Sequence, residues 1–155
     1  MERLARIFKE AIEMELEGRQ VYLDAAERTS DLVLKTVLEE LARDELSHSE
    51  MITRFYEALE KHQGWPEPDD RSERHTDLPK RLHAIIDETA GALKGRNGYH
   101  DIYRIASDME RRSRDFYLEQ ENAAEDRRVV ELFGFLARVE DAHMKALTLL
   151  AQEEK

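Results

Sequence analysis

Glu45 and His48 stand three residues apart in the stretch LARDELSHSEM, and Glu140 and His143 repeat that spacing in LARVEDAHMKA. On a helix, residues i and i+3 share a face, so each pair aims a carboxylate and an imidazole the same way. Two more acids, Glu15 and Glu110, each lie 30 residues ahead of a pair's glutamate. Brought to one level, the six side chains are a donor set for cations: four carboxylates carry the charge that balances two M²⁺ ions. Carboxylate oxygen with imidazole nitrogen suits iron, manganese or zinc, and the set lacks the soft sulfur that favours copper(I). One Glu-x-x-His arises often by chance on charged helices. Two of them, at matched spacing from two further glutamates, is a specific signal.

The six positions interrupt apolar stripes. The first stripe runs Leu4, Phe8, Ala11, Glu15, Gly18, Tyr22, Ala25, and the second runs Leu34, Leu38, Leu41, Glu45, His48, Ile52, Phe55, Leu59. A third carries Tyr99, Tyr103, Ala106, Glu110, Ser113, Tyr117, and a fourth Val129, Phe133, Leu136, Glu140, His143, Leu147, Leu150. Alternating steps of three and four are the seam of a helix packed in a bundle. An unpaired carboxylate facing such a core costs several kcal/mol. No lysine or arginine occupies the stripes at that level. A bound polycation solves the problem. The alternative is a metal-free core in which Glu and His pair and set helix register.

The elements follow from the same periodicity. Helices are predicted over about 2–28, from an N-cap at Ser30 or Asp31 to about His62, from near Asn97 and Gly98, and from after NAAED to about 152. Most of the three Pro and six Gly fall between residues 64 and 98. That window reads as a long polar crossover, about 63–96, with a short amphipathic helix at about 79–93. Short links within hairpins 2–62 and 97–152, and one long connection between them, predict an all-α four-helix bundle in a single domain, 1–155. The halves also match without gaps at an offset of 95, including Met14/Met109, Glu15/Glu110, Tyr22/Tyr117, Glu45/Glu140 and His48/His143. We read this as an internal duplication with a two-fold pseudo-axis.

Composition excludes several classes. There is no Cys, so disulfides, zinc–thiolate sites, iron–sulfur sites and thiol catalysis are all absent. The formal charge of −11 offers no basic face for nucleic acid. No apolar run approaches the ~20 residues of a membrane span, and the start lacks a signal-peptide core. A soluble cytoplasmic protein is expected. Most of the 35 acids read as solvated surface.

At the six residues and their flanks the chain resembles the ferritin-like di-iron carboxylate superfamily, and within it the rubrerythrin-like group. The resemblance rests on AIEMELEGRQVYLDAAE, LEELARDELSHSEM, ASDMERRSRDFYLE and LFGFLARVEDAHMKAL. It implies two iron ions per chain, with Glu15 and Glu110 as terminal ligands, Glu45 and Glu140 as bridges, and His48 and His143 each on one metal. Tyr22 and Tyr117 would donate O–H groups to these carboxylates, or serve as core aromatics. It implies two-electron redox chemistry with peroxide or dioxygen, and a homodimer. Typical rubrerythrins add a rubredoxin-like site with four Cys; without Cys here, electrons must come from an external donor. Many also carry an extra glutamate where this chain has Ser113, matched by Gly18 in the other half, which bears on peroxidase activity.

The competing readings are a ferritin-like ferroxidase handling iron, an oxygenase with an organic substrate, and a non-enzymatic helical interaction module. Glu13, Glu17 and Asp108 read as solvated charges. His62, His75, His83 and His100 read as surface histidines, Trp65 as an anchor for the crossover, and Met14 and Met109 as core filler.

Overall fold

The computed structural model describes residues 2–62 and 99–153. Within them the chain forms α1 (Glu2–Arg28), α2 (Leu32–Glu60), α3 (Tyr99–Ala123) and α4 (Arg127–Glu153). The predicted crossover, its short helix at about 79–93, and the residues Trp65, His75 and His83 lie outside the described residues.

Local chemistry sets the turns. Asp31 is the N-cap of α2: its carboxylate accepts from the backbone N–H of Val33 at 3.0 Å and of Leu34 at 3.2 Å. Such a cap stabilises by about 1 kcal/mol. Asp126 does the same for α4, accepting from the Arg128 N–H at 2.9 Å. With only a few residues between helices, α1 and α2 fold back as one hairpin, and α3 and α4 as the other. At the far end of α2, His62 takes a left-handed φ of 51° just beyond the last turn. α1 packs on α2, α3 on α4, and the hairpins meet along α1 and α3. The result is an all-α four-helix bundle.

The core is divided. One apolar cluster gathers Tyr22, Leu38, Leu41, Ala106 and Leu147. The other gathers Phe8, Ile52, Phe55, Tyr117 and Phe133, with the Phe8 ring edge-on to Phe133 at 5.6 Å. A fully buried Leu, Ile or Phe contributes about 1.5–3 kcal/mol. In sequence, each helix passes from one cluster to the other across its inward glutamate.

The buried faces differ from the predicted stripes at their ends. Ala26, not Ala25, closes the buried face of α1, and Ala58, not Leu59, that of α2. The buried face of α2 is also wider, taking in Val37, Asp44, Ser49 and Met51. A helix wedged between neighbours buries a broader arc than a two-helix seam.

Candidate metal centre

Glu15 enters from mid-α1, Glu45 and His48 from α2, Glu110 from α3, and Glu140 and His143 from α4. All six are at most 3% exposed. Their donor atoms form two groups, each with its atoms within 4.8 Å of one another: Glu15, Glu45, His48 and Glu140, and Glu45, Glu110, Glu140 and His143. Glu45 and Glu140 belong to both. The arrangement carries the two-fold relation of the duplicated sequence. Both imidazoles turn Nδ1 inward: His48 Nδ1 lies 3.2 Å from Glu15 Oε2, and His143 Nδ1 lies 3.2 Å from Glu110 Oε1. The two rings stack at 5.5 Å between centroids.

Two tyrosines brace the cluster across the hairpin interface. The Tyr22 hydroxyl, from α1, donates to Glu110 on α3, and the Tyr117 hydroxyl, from α3, donates to Glu15 on α1. Burial, and then the facing carboxylate, push both phenols well above their usual range. They stay protonated and act as fixed donors.

Glu45 Oε1, Glu110 Oε2 and both oxygens of Glu140 are buried without a hydrogen-bond donor. Glu45 Oε1 is 2.9 Å from His143 Nδ1 yet makes no hydrogen bond there. Buried carboxylate oxygens left without donors cost about 1–3 kcal/mol or more each, and like charges at this distance repel. Without a cation the cluster must hold protons. Burial, then the charges of Glu110, Glu140 and Glu15, raise Glu45 well above the carboxylate range. Burial, then Glu110 and Glu15, do the same to Glu140. Burial also works against ionising Glu15, but hydrogen bonding from Glu45 and the nearby His48 outweigh it and bring Glu15 down to about 2. Glu110 is likewise lowered: burial opposes it and the His143 charge prevails. Thus Glu45 and Glu140 carry protons toward Glu15 and Glu110. Orphaned oxygens in a cluster of two donor groups that share Glu45 and Glu140 fit bound metal cations, whose charge would take the place of those protons.

One buried acid is absent from the expected set. Asp44 is fully buried, and its Oδ2 lies 3.4 Å from His143 Nε2. A proton on Nε2 facing Asp44 leaves the Nδ1 lone pair for a cation. His143 is pushed well above its ordinary range: burial opposes the charge, and Glu110 and then Asp44 outweigh it. The signal was present in the repeated phrase, where LARD in one half faces LARV in the other. Asp44 matches Val139, itself buried. An acid in a slot that its twin fills with valine is an interior acid.

Among the other histidines, His62 lies exposed at the end of α2, apart from the cluster. Glu13, Glu17 and Asp108 are exposed on outer faces. Ser113 is buried, and at Gly18 a Cβ would stand 3.3 Å from Glu45 Oε2.

No helix among the described residues is long and apolar enough to cross a membrane. No curated protein and no solved structure gives a significant match to the chain. A family model described as Rubrerythrin matches residues 6–151, a span that runs from the first turns of α1 to near the end of α4 and takes in every residue of the buried Glu/His cluster; the chain therefore belongs to the rubrerythrin family, a ferritin-like di-iron family.

Proposed function

We propose that this protein is a di-iron oxidoreductase whose six-residue cluster holds two iron ions and passes two electrons to hydrogen peroxide or dioxygen. The observation that carries the reading is the pair of four-residue donor groups sharing Glu45 and Glu140, with four carboxylate oxygens left without donors. Glu15 and His48 would hold one ion, Glu110 and His143 the other, and Glu45 and Glu140 would serve both. Bound iron supplies the electron-transfer chemistry that no side chain here can supply. The protein's own part is to keep the site dry and the donors fixed. Two apolar clusters flank the site. Tyr22 and Tyr117 each hold one oxygen of a terminal carboxylate, and Asp44 holds a proton at His143 Nε2. The chain has no Cys, so an external donor returns the electrons.

The test is anaerobic loading with ferrous iron, followed by one equivalent of H₂O₂ or of O₂ with absorbance monitored. Two iron per chain and a rapid ferric band with H₂O₂, slow with O₂, is the expected result. A faster reaction with O₂ would favour the ferroxidase reading. Absence of stoichiometric iron uptake would remove the iron assignment.

A further inference from the structure

Besides Asp44 and Val139, the duplicated halves differ beside the cluster at Gly18 in α1, which stands where α3 has Ser113. Gly18 carries no side chain, and a Cβ there would meet Glu45 Oε2 at 3.3 Å and Met109 Cε at 3.5 Å. The carboxylate of Glu45 and the Met109 methyl thus lie directly against the bare α1 backbone. Outside the same stretch lies a cavity of about 300 Å³ between α1 and α3. Met14, Val21, Ile105 and Met109 wall it, with Glu17, Arg112 and Ser113 completing the lining. Met14 and Val21 precede and follow Gly18 by four and three residues, so they share its face of α1. Met109 belongs both to the cavity wall and to the cover over Gly18. It is an unbranched thioether that changes rotamer readily.

We propose that this cavity is the entry route by which a small neutral oxidant, of the size of hydrogen peroxide or dioxygen, reaches the metal centre through the gap at Gly18, with Met109 as the movable partition. The proposal rests on the di-iron reading above. Even a Cβ would be in tight contact there, so the passage opens only when Met109 swings aside, and it admits only a molecule of a few atoms. The wall is largely apolar between the charged side chains of Glu17 and Arg112, and four carboxylates lie beyond, which disfavours anions. Glu45 is the first group met, and it belongs to both donor groups, so a molecule arriving there stands beside both ions. By the two-fold relation of the halves, Ser113 occupies on the Glu140 side the place that Gly18 has on the Glu45 side.

The probe is nitric oxide, a neutral diatomic, mixed with the diferrous protein in a stopped-flow spectrometer. Iron content and melting temperature are measured on every variant. Gly18→Ser copies the twin half. It is expected to keep its iron and slow nitric oxide association by about tenfold or more, as a closed gate does. Adding Ser113→Gly opens the matching gap over Glu140, and the double variant is expected to recover to within about twofold of the parent. Met109→Ala, which thins the partition without touching Gly18, is expected to speed association. An unchanged rate in an iron-replete Gly18→Ser protein overturns the route, as does a double variant that stays slow. If Gly18→Ser does not fold, an unchanged rate in Met109→Ala overturns it. A parent protein that binds no stoichiometric iron refutes the di-iron reading itself, and the route with it; iron content separates that failure from failure of the route.

Discussion

Glu140→Gln should stabilise the metal-free protein and abolish its stabilisation by iron. In the apo chain Glu140 is fully buried, and its raised pKa means it holds a proton that the unfolded chain releases above its ordinary value of 4.5. A group whose folded pKa is raised contributes stability below the unfolded value and loses it as pH rises toward the folded one. The loss runs at about 1.4 kcal/mol per pH unit for one proton. At pH 7, a Glu140 that still holds its proton has cost about 3 kcal/mol of folding stability. Glutamine has nearly the same shape, needs no proton, and presents an N–H₂ where the protonated acid presents its O–H toward Glu110. The apo variant should therefore gain up to about 3 kcal/mol at pH 7, or roughly 6–12 °C in melting temperature for a chain of this size. The gain should vanish near pH 4.5.

With iron present the order reverses. An ion at one hundred times its Kd stabilises the native state by about 2.7 kcal/mol. Glutamine is a poor ligand and offers no charge to a site shared by two ions. The assay is thermal melting followed by circular dichroism, anaerobically, at pH 4.5, 6 and 7, with and without ferrous iron. An apo variant that melts at or below the parent at pH 7 would refute the reasoning. It would mean that the carboxylate holds the core together by itself, as in a metal-free polar core that sets helix register.

Three further outcomes follow from the same cluster. The apo protein should lose stability as pH rises from 6 to 9, because Glu45, Glu140 and His143 all have raised pKa values, and the stability each brings is lost as pH climbs through its folded value; melting of the iron-loaded protein should be flat over that range, and loading at pH 7 should release protons that a pH-stat counts. Tyr22→Phe and Tyr117→Phe should each destabilise by about 1–3 kcal/mol, since each leaves a buried carboxylate oxygen without its donor; denaturant titration measures this, and a neutral result would show that the hydroxyls are incidental. Asp44→Ala should weaken metal binding by about 10–100-fold through the loosened His143 ring; isothermal titration with a divalent cation reads it, and parent-like affinity would show that Asp44 does not orient the ligand.

The bundle was legible because its signals are local and repeated. Steps of three and four put Glu15, Glu45, His48, Glu110, Glu140 and His143 on apolar stripes, and the offset of 95 showed that the halves match. The structure brings all six together. Sequence could not supply the contacts that cross between helices far apart in the chain. The exchange of Tyr22 onto Glu110 and Tyr117 onto Glu15 depends on how the hairpins meet, which no periodicity encodes. The precise buried arc shifted from Ala25 to Ala26 for the same reason: a stripe names a face, and the neighbour decides which edge of it is covered.

Asp44 shows what a duplicated sequence offers beyond periodicity. Where the two halves agree, the agreement reports what both need: fold and donor set. Where they disagree at an interior slot, one half has departed from the two-fold relation. Asp44 against Val139, and Gly18 against Ser113, are such slots, and all four residues are buried. The first places a carboxylate behind His143, and the second leaves bare backbone, with no side chain, against Glu45. Neither alters the donor set, so neither disturbs the symmetric cage that the four glutamates and two histidines build. Each instead makes one side of the cage different from the other: a ligand ring held by an acid on one hand, an approach left open on the other. Two ions in a symmetric cage would be interchangeable. These departures are physical grounds for their not being so, and replacing Asp44 with Val should weaken the binding step that engages His143 more than the one that engages His48, a change that a two-site titration resolves.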